Sequence, residues 1–157
     1  MRFAALAVDY DGTLASQGRV AIETVAALKR FAASGRKLLL VTGRELDELI
    51  GIFPEISVFD RVVAENGALL FCPRTGARKP LGLPPPAEFV AELRHRGVDP
   101  LSVGASIVAT VTPNEKIVLE VIRDLGLELQ VIFNKGAVMV LPAGVNKASG
   151  LAAGLDD

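Results

Sequence analysis

Residues 3–14 read FAALAVDYDGTL, an apolar run from Phe3 to Val8 broken by Asp9 and followed by a second carboxylate, Asp11, and by Gly12. A run this short, with aromatic and β-branched ends, suits a buried strand better than a helix, which needs about ten residues or more. The strand would deliver Asp9 and Asp11 to its C-terminal end, where Gly12 permits a sharp turn. Two carboxylates one residue apart can converge on a cation, and at the mouth of a parallel sheet they repel each other unless something positive lies between them. An exposed Asp-Gly turn uses the same residues, because that dipeptide marks turns anywhere. This stretch by itself leaves both readings open.

Working outward, Ile22, Val25, Leu28 and Ala32 recur at helical spacing, with Gly35 placed to end the helix. Lys37 to Val41 reads as a second buried strand, followed by Thr42, Gly43 and a helix from about Arg44 to Ile50, and Arg61 to Ala64 reads as a third strand. Alternating strands and helices imply a parallel sheet with functional loops at the strands' C-terminal ends, where Asp9, Thr42 and Glu65 all fall. Thr42 and Glu45 have the spacing of a capping box, which is a sufficient structural reason for both. A hydroxyl beside the free N–H groups of a helix start can also help hold a phosphate.

After Ala64 the pattern changes. Ala68 to Cys72 and Arg78 to Leu81 predict a hairpin, and Pro84, Pro85 and Pro86 predict a hinge. Beyond it the periodicity predicts a helix over 87–96, a strand within 102–111, and a helix opened by Thr112 as N-cap, Pro113 as its first residue and Glu115 as its third. Strands over 128–133 and 137–141 follow. Residues 83–141 thus read as an inserted α+β module, with residues 1–82 and 142–157 forming the core. Lys147 opens a further helix, where a cation opposes the helix dipole unless an anion is near; a solvated surface lysine is the alternative. No P-loop spacing occurs.

The bulk chemistry narrows the function. Seventeen basic and 18 acidic residues leave a net charge of −1, so no whole-chain field draws nucleic acid or an anionic membrane. Any bound anion is held locally. The single cysteine, Cys72, excludes a disulfide framework and a cysteine-rich zinc site, which fits a cytoplasmic protein. Cys72 reads as a small buried hydrophobe and His95 as a solvated residue between Arg94 and Arg96.

Asp9-Tyr10-Asp11-Gly12-Thr13-Leu14, Val41-Thr42-Gly43-Arg44 and Gly144-Val145-Asn146-Lys147, in that order, resemble the first three motifs of the haloacid dehalogenase (HAD) superfamily. The resemblance is to the branch with a larger α+β cap, which includes Cof-like and sugar-phosphate phosphatases; Glu65-Asn66-Gly67-Ala68 looks like a stretch common there. It implies an α/β fold, a parallel Rossmann-like core with an inserted α+β cap. The implied activity is Mg²⁺-dependent hydrolysis of a small phosphorylated metabolite through an aspartyl-phosphate. By the same resemblance Asp9 is the nucleophile and Asp11 the general acid and base. Asp9 by its side chain and Asp11 by its backbone carbonyl hold the metal, while Thr42, the Gly43 amide and Lys147 bind the phosphoryl group. Asn66 either faces the cleft or only forms a turn. The family's fourth motif, an acidic Gly-Asp-x-x-x-Asp loop, has no counterpart, since Asp156 and Asp157 end a helix-like segment. The expectation is a fragment or shortened relative of low activity, self-associating through its uncovered core. The alternative is a non-catalytic regulatory or binding domain that kept three motifs. A receiver-like domain fits less well, because Glu65 and Asn66 stand where its phosphorylated aspartate belongs.

Overall fold

The opening apolar run becomes strand β1, Ala5–Asp9, in the computed structural model, which describes residues 3–157. A small hairpin follows, β2 (Ala15–Ser16) and β3 (Arg19–Val20), then helix α1 (Ile22–Ala33), strand β4 (Lys37–Val41) and helix α2 (Leu46–Ile52). Strands β5 (Arg61–Ala64), β6 (Leu69–Cys72) and β7 (Ala77–Pro80) complete this part. β1, β4 and β5 pair in parallel with Asp9 opposite Val41, and β6 and β7 add antiparallel, giving the order β1-β4-β5-β6-β7. The expected hairpin therefore extends the core sheet and makes it mixed.

Parallel strands are covered on both faces, and β4 and β5 divide their side chains accordingly. Leu38, Leu40, Val62 and Ala64 join Leu28 of α1, Leu46 and Leu49 of α2, and Phe53 and Phe59 in one core. Tyr10 lies in that core with its ring centroid 5.8 Å from that of Phe53. Ile22, expected on the buried face of α1, is 83% exposed, because the helix reaches the core only from Val25 onward. α2 also begins later than expected. Its N-cap residue is Glu45, without a side-chain cap, because the Thr42 hydroxyl accepts instead from the Arg44 N–H at 3.1 Å in a tight local turn.

Contacts divide the chain into two units, Met1–Leu81 with Asn146–Asp157, and Gly82–Val145. The second contains α3 (Ala87–His95), β8 (Ser102–Val103), β9 (Val108–Val111), α4 (Glu115–Asp124), β10 (Leu129–Asn134) and β11 (Ala137–Pro142). Its strands form an antiparallel sheet, β10-β11-β9-β8, with Phe89, Leu93, Val118 and Val121 of the helices packed on Val108, Val138 and Val140. The strand expected within 102–111 is two short strands. The capping box expected at Thr112 does not form. The Asn114 N–H bonds to Val111 O and its side-chain amide to Asp99 O and Thr110 Oγ1, so the chain turns before α4 starts at Glu115.

The first unit closes with α5, Lys147–Asp156. Here a capping box does form: Asn146 Oδ1 accepts from the Ser149 N–H at 2.9 Å, and Ser149 Oγ accepts from the Asn146 N–H at 3.0 Å. Gly150 and Gly154, one turn apart, face the sheet. A Cβ on Gly150 would lie 2.7 Å from Gly67 Cα, and one on Gly154 would lie 3.2 Å from Leu39 Cδ2. Their missing side chains let α5 press against Val63, Leu70 and Leu39. Among the described residues no helix is long and apolar enough to cross a membrane.

Candidate active site

β1 ends at Asp9, and one Asp9 oxygen, Oδ1, accepts from the Tyr10 N–H at 2.9 Å and from Lys147 Nζ at 3.2 Å. Oδ2 has no hydrogen-bond partner among the described residues. Lys147 reaches this point from the first turn of α5, so a cation that its own helix dipole disfavours is offset by a carboxylate. Both side chains are a little over two-fifths exposed and thus reachable by a ligand. Ala7, Val8, Asp9, Val41, Lys147, Ala148 and Leu151 line an open cavity of about 310 Å³ at this place.

Asp11 points elsewhere. Its carboxylate is held in a fork by Arg44, with Nε to Oδ2 at 2.8 Å and Nη2 to Oδ1 at 2.9 Å. Arg44 also bonds Glu48 and lies 5.5 Å from the Tyr10 ring centroid, so one guanidinium ties both motif loops together. The hydrogen bond that Arg44 donates to Asp11 outweighs the cost of burial and pushes the Arg44 pKa up. Tyr10 OH donates to Gly18 O at 3.0 Å, and burial pushes its pKa above 10, with Arg44 opposing.

Thr42 is fully buried at the end of β4 and donates its N–H to Val63 O at 2.8 Å. Gly43 follows with an N–H that makes no hydrogen bond among the described residues. Asp9, Thr42 and Gly43 thus share one end of the sheet, and Lys147 joins Asp9 there. Arg44 falls in the second motif, but its sequence position assigns it no role, because a long side chain free to reach across loops leaves no spacing signal. The Asn146 cap was also missed, although Asn-x-x-Ser before a helix is a recognisable start.

The donor set for a metal is partial. Among the described residues no group of three or more His, Cys, Asp or Glu side chains is placed to hold a metal ion. Asp9 offers a carboxylate, and Asp11, with its side chain taken by Arg44, offers only its backbone carbonyl. Mg²⁺ keeps several waters and takes substrate phosphate oxygens, so two protein oxygens suit it as part of a shell and bind it weakly.

Comparison with known proteins bears on the fold. Residues 6–77 match the family model of the haloacid dehalogenase-like hydrolases. Among solved structures, a haloacid dehalogenase-like hydrolase from Bacteroides thetaiotaomicron is similar with a TM-score of 0.76 at 15% identity, over 99% of this chain and 77% of that one. BT1666 from the same organism, described among phosphatases of the HAD superfamily, gives 0.69 at 20% identity over 98% and 72%. The HAD subclass IIB sugar phosphatase BT4131 gives 0.67 at 19% identity over 94% and 73%. No curated protein sequence matches the chain.

Proposed function

From the premise that this chain has the haloacid dehalogenase-like hydrolase fold and carries that family's sequence pattern over residues 6–77, we propose that it hydrolyses phosphomonoesters of small metabolites. The observation that carries this reading is the Lys147 ammonium 3.2 Å from Asp9 Oδ1, beside an Asp9 oxygen left open. Asp9 Oδ2 attacks phosphorus, the ester oxygen departs with a proton, and an aspartyl-phosphate forms; water then attacks phosphorus and restores the carboxylate. Lys147 offsets charge on the phosphoryl oxygens, and the Gly43 N–H and Thr42 hydroxyl hold them. Asp11, once it leaves Arg44 and takes a proton from solvent, gives that proton to the ester oxygen and later takes one from the attacking water. The Asp9 carboxylate and Asp11 carbonyl would hold Mg²⁺, which when bound neutralises charge between two anions. The edge of β1 that pairs with no other strand among the described residues supports self-association as a second property, and the cytoplasm is the proposed location.

The test is phosphate release from an aryl phosphate with Mg²⁺ present. Turnover should vanish in Asp9→Asn and fall about 10²-fold in Lys147→Ala, the loss typical of a transition-state charge partner. Turnover that survives Asp9→Asn would overturn the assignment of the nucleophile. Phosphate binding without any turnover would favour a binding domain.

A further inference from the structure

Between β5 and β6 the chain makes a turn whose left-handed backbone suits Asn66 and Gly67 but not Glu65. Glu65, Asn66 and Gly67 have φ of 53°, 54° and 99°, three consecutive left-handed residues, two of them not glycine. All three are buried, Glu65 to 1% exposure. Non-glycine residues in this region are uncommon, and such backbone persists only where its surroundings over-determine it, often at functional sites.

Its surroundings are the two loops that carry the proposed phosphoryl-binding groups. The Asn66 N–H donates to Thr42 O at 3.1 Å and the Glu65 N–H to Arg44 O at 3.0 Å, so the turn is laced to residues 42–44 by backbone bonds. The Asn66 side chain lies against Gly43, where an added Cβ would meet Asn66 Oδ1 at 2.9 Å. On its other side the turn touches the start of α5. A Cβ on Gly67 would overlap the Asn146 carbonyl and come within 3.0 Å of the Lys147 N.

We propose that the 65–67 turn is the spacer that sets the Thr42-Gly43 loop against the Lys147 helix, and that Asn66 is a positioning residue acting through Gly43. The proposal rests on the reading of Thr42, Gly43 and Lys147 as phosphoryl-binding groups. Asn66 need touch no substrate. Its side chain fills the space over the Gly43 α-carbon and so fixes the direction of the Gly43 N–H, while Gly67 lets the capped end of α5 approach to backbone contact. Misplacement of about 1 Å at a reacting centre can cost roughly 10²-fold in rate, so a small shift of either loop registers in turnover.

Asn66→Gly tests this, because glycine accepts the left-handed backbone and removes only the side chain. The expected result is a 10- to 100-fold fall in kcat, on the order of the cost of such misplacement, with KM within about twofold of wild type. A merely structural role predicts instead wild-type kcat in the folded fraction. The second arm needs no activity: thermal unfolding of Gly43→Ala, alone and combined with Asn66→Gly. Gly43→Ala should lower the melting temperature against Asn66 and lower it much less once that side chain is gone, a coupling that only contact between the two produces. Equal losses in both backgrounds, or wild-type kcat in Asn66→Gly, would overturn the proposal. Should the wild-type chain show no Asp9-dependent turnover, the proposed reaction fails, and the unfolding arm still decides whether the turn and loop are coupled.

Discussion

Gly150→Ala is the sharpest probe of how Lys147 is held. In place of the glycine hydrogen, a Cβ would stand 2.5 Å from Val63 Cγ1, 2.7 Å from Gly67 Cα and 3.0 Å from Gly67 O. Carbon atoms prefer about 3.5–4.0 Å, so the helix must retreat by roughly 1 Å; the Gly67 atoms are backbone and cannot rotate away. Overpacking of this kind costs about 1–3 kcal/mol, and the upper end applies where backbone blocks relaxation. Alanine in a helix interior returns about 1 kcal/mol relative to glycine. The net expected loss is about 2 kcal/mol, or roughly 4–8 °C in melting temperature for a chain of this size. Gly154→Ala is the internal comparison. Its nearest contact is the flexible Leu39 Cδ2 at 3.2 Å, so the propensity gain dominates and stability should stay level or rise by up to about 1 kcal/mol. Differential scanning calorimetry reads both. Because Lys147 lies one turn before Gly150, a retreating α5 also draws Nζ away from Asp9, and aryl phosphate turnover should fall in Gly150→Ala alone. If Gly150→Ala melted with or above Gly154→Ala, α5 would not be pressed on Gly67 and Val63 as described, and the reasoning would fail.

Tyr10 is the chain's one tyrosine, and the chain has no tryptophan, so its ionisation can be followed directly by near-ultraviolet absorbance. Its folded pKa is raised by burial, so the associated stability is complete below the unfolded pKa near 10 and is lost as pH rises through the folded value. The midpoint should lie higher in the native chain than in denaturant; equal midpoints would contradict the burial. Among the described residues one edge of β1 has no strand partner, Ala7 is exposed, and no charged residue lies between Ala5 and Val8. Sedimentation should therefore reveal concentration-dependent association that Ala7→Lys weakens; a monomer at all concentrations would refute it. Phe89 is fully buried in the second unit's core, and Phe89→Ala should cost that unit about 3–5 kcal/mol in urea denaturation. A loss below 1 kcal/mol, by the same scale, would mean the helices there are not packed as described.

Much of the core was legible because short apolar runs ending in polar residues specify strands and their functional ends without reference to distant parts. β1, β4 and β5, with Asp9, Thr42 and Glu65 at their ends, follow from local pattern, and so does the hairpin of β6 and β7. That this hairpin belongs to the core sheet did not follow, since pairing partners depend on which faces remain to be covered. Helix starts were less legible. Thr42 and Thr112 have capping spacing, yet the Thr42 hydroxyl accepts from the Arg44 N–H in a turn ahead of α2 and the Asn114 N–H bonds to Val111 O, while the capping box that forms is Asn146 with Ser149.

What the sequence determines by itself is an α/β chain with carboxylates, a threonine and a lysine arranged to meet at one end of a sheet. Only tertiary structure decides which of them meet. Asp9 and Lys147 lie 138 positions apart and come to 3.2 Å because Gly150, Gly154 and Gly67 lack side chains where helix and sheet press together. Asp11, two residues from Asp9, is drawn away by Arg44. Periodicity carries burial, which is local; the fit of a missing Cβ and the reach of a guanidinium are properties of neighbours that only folding brings near.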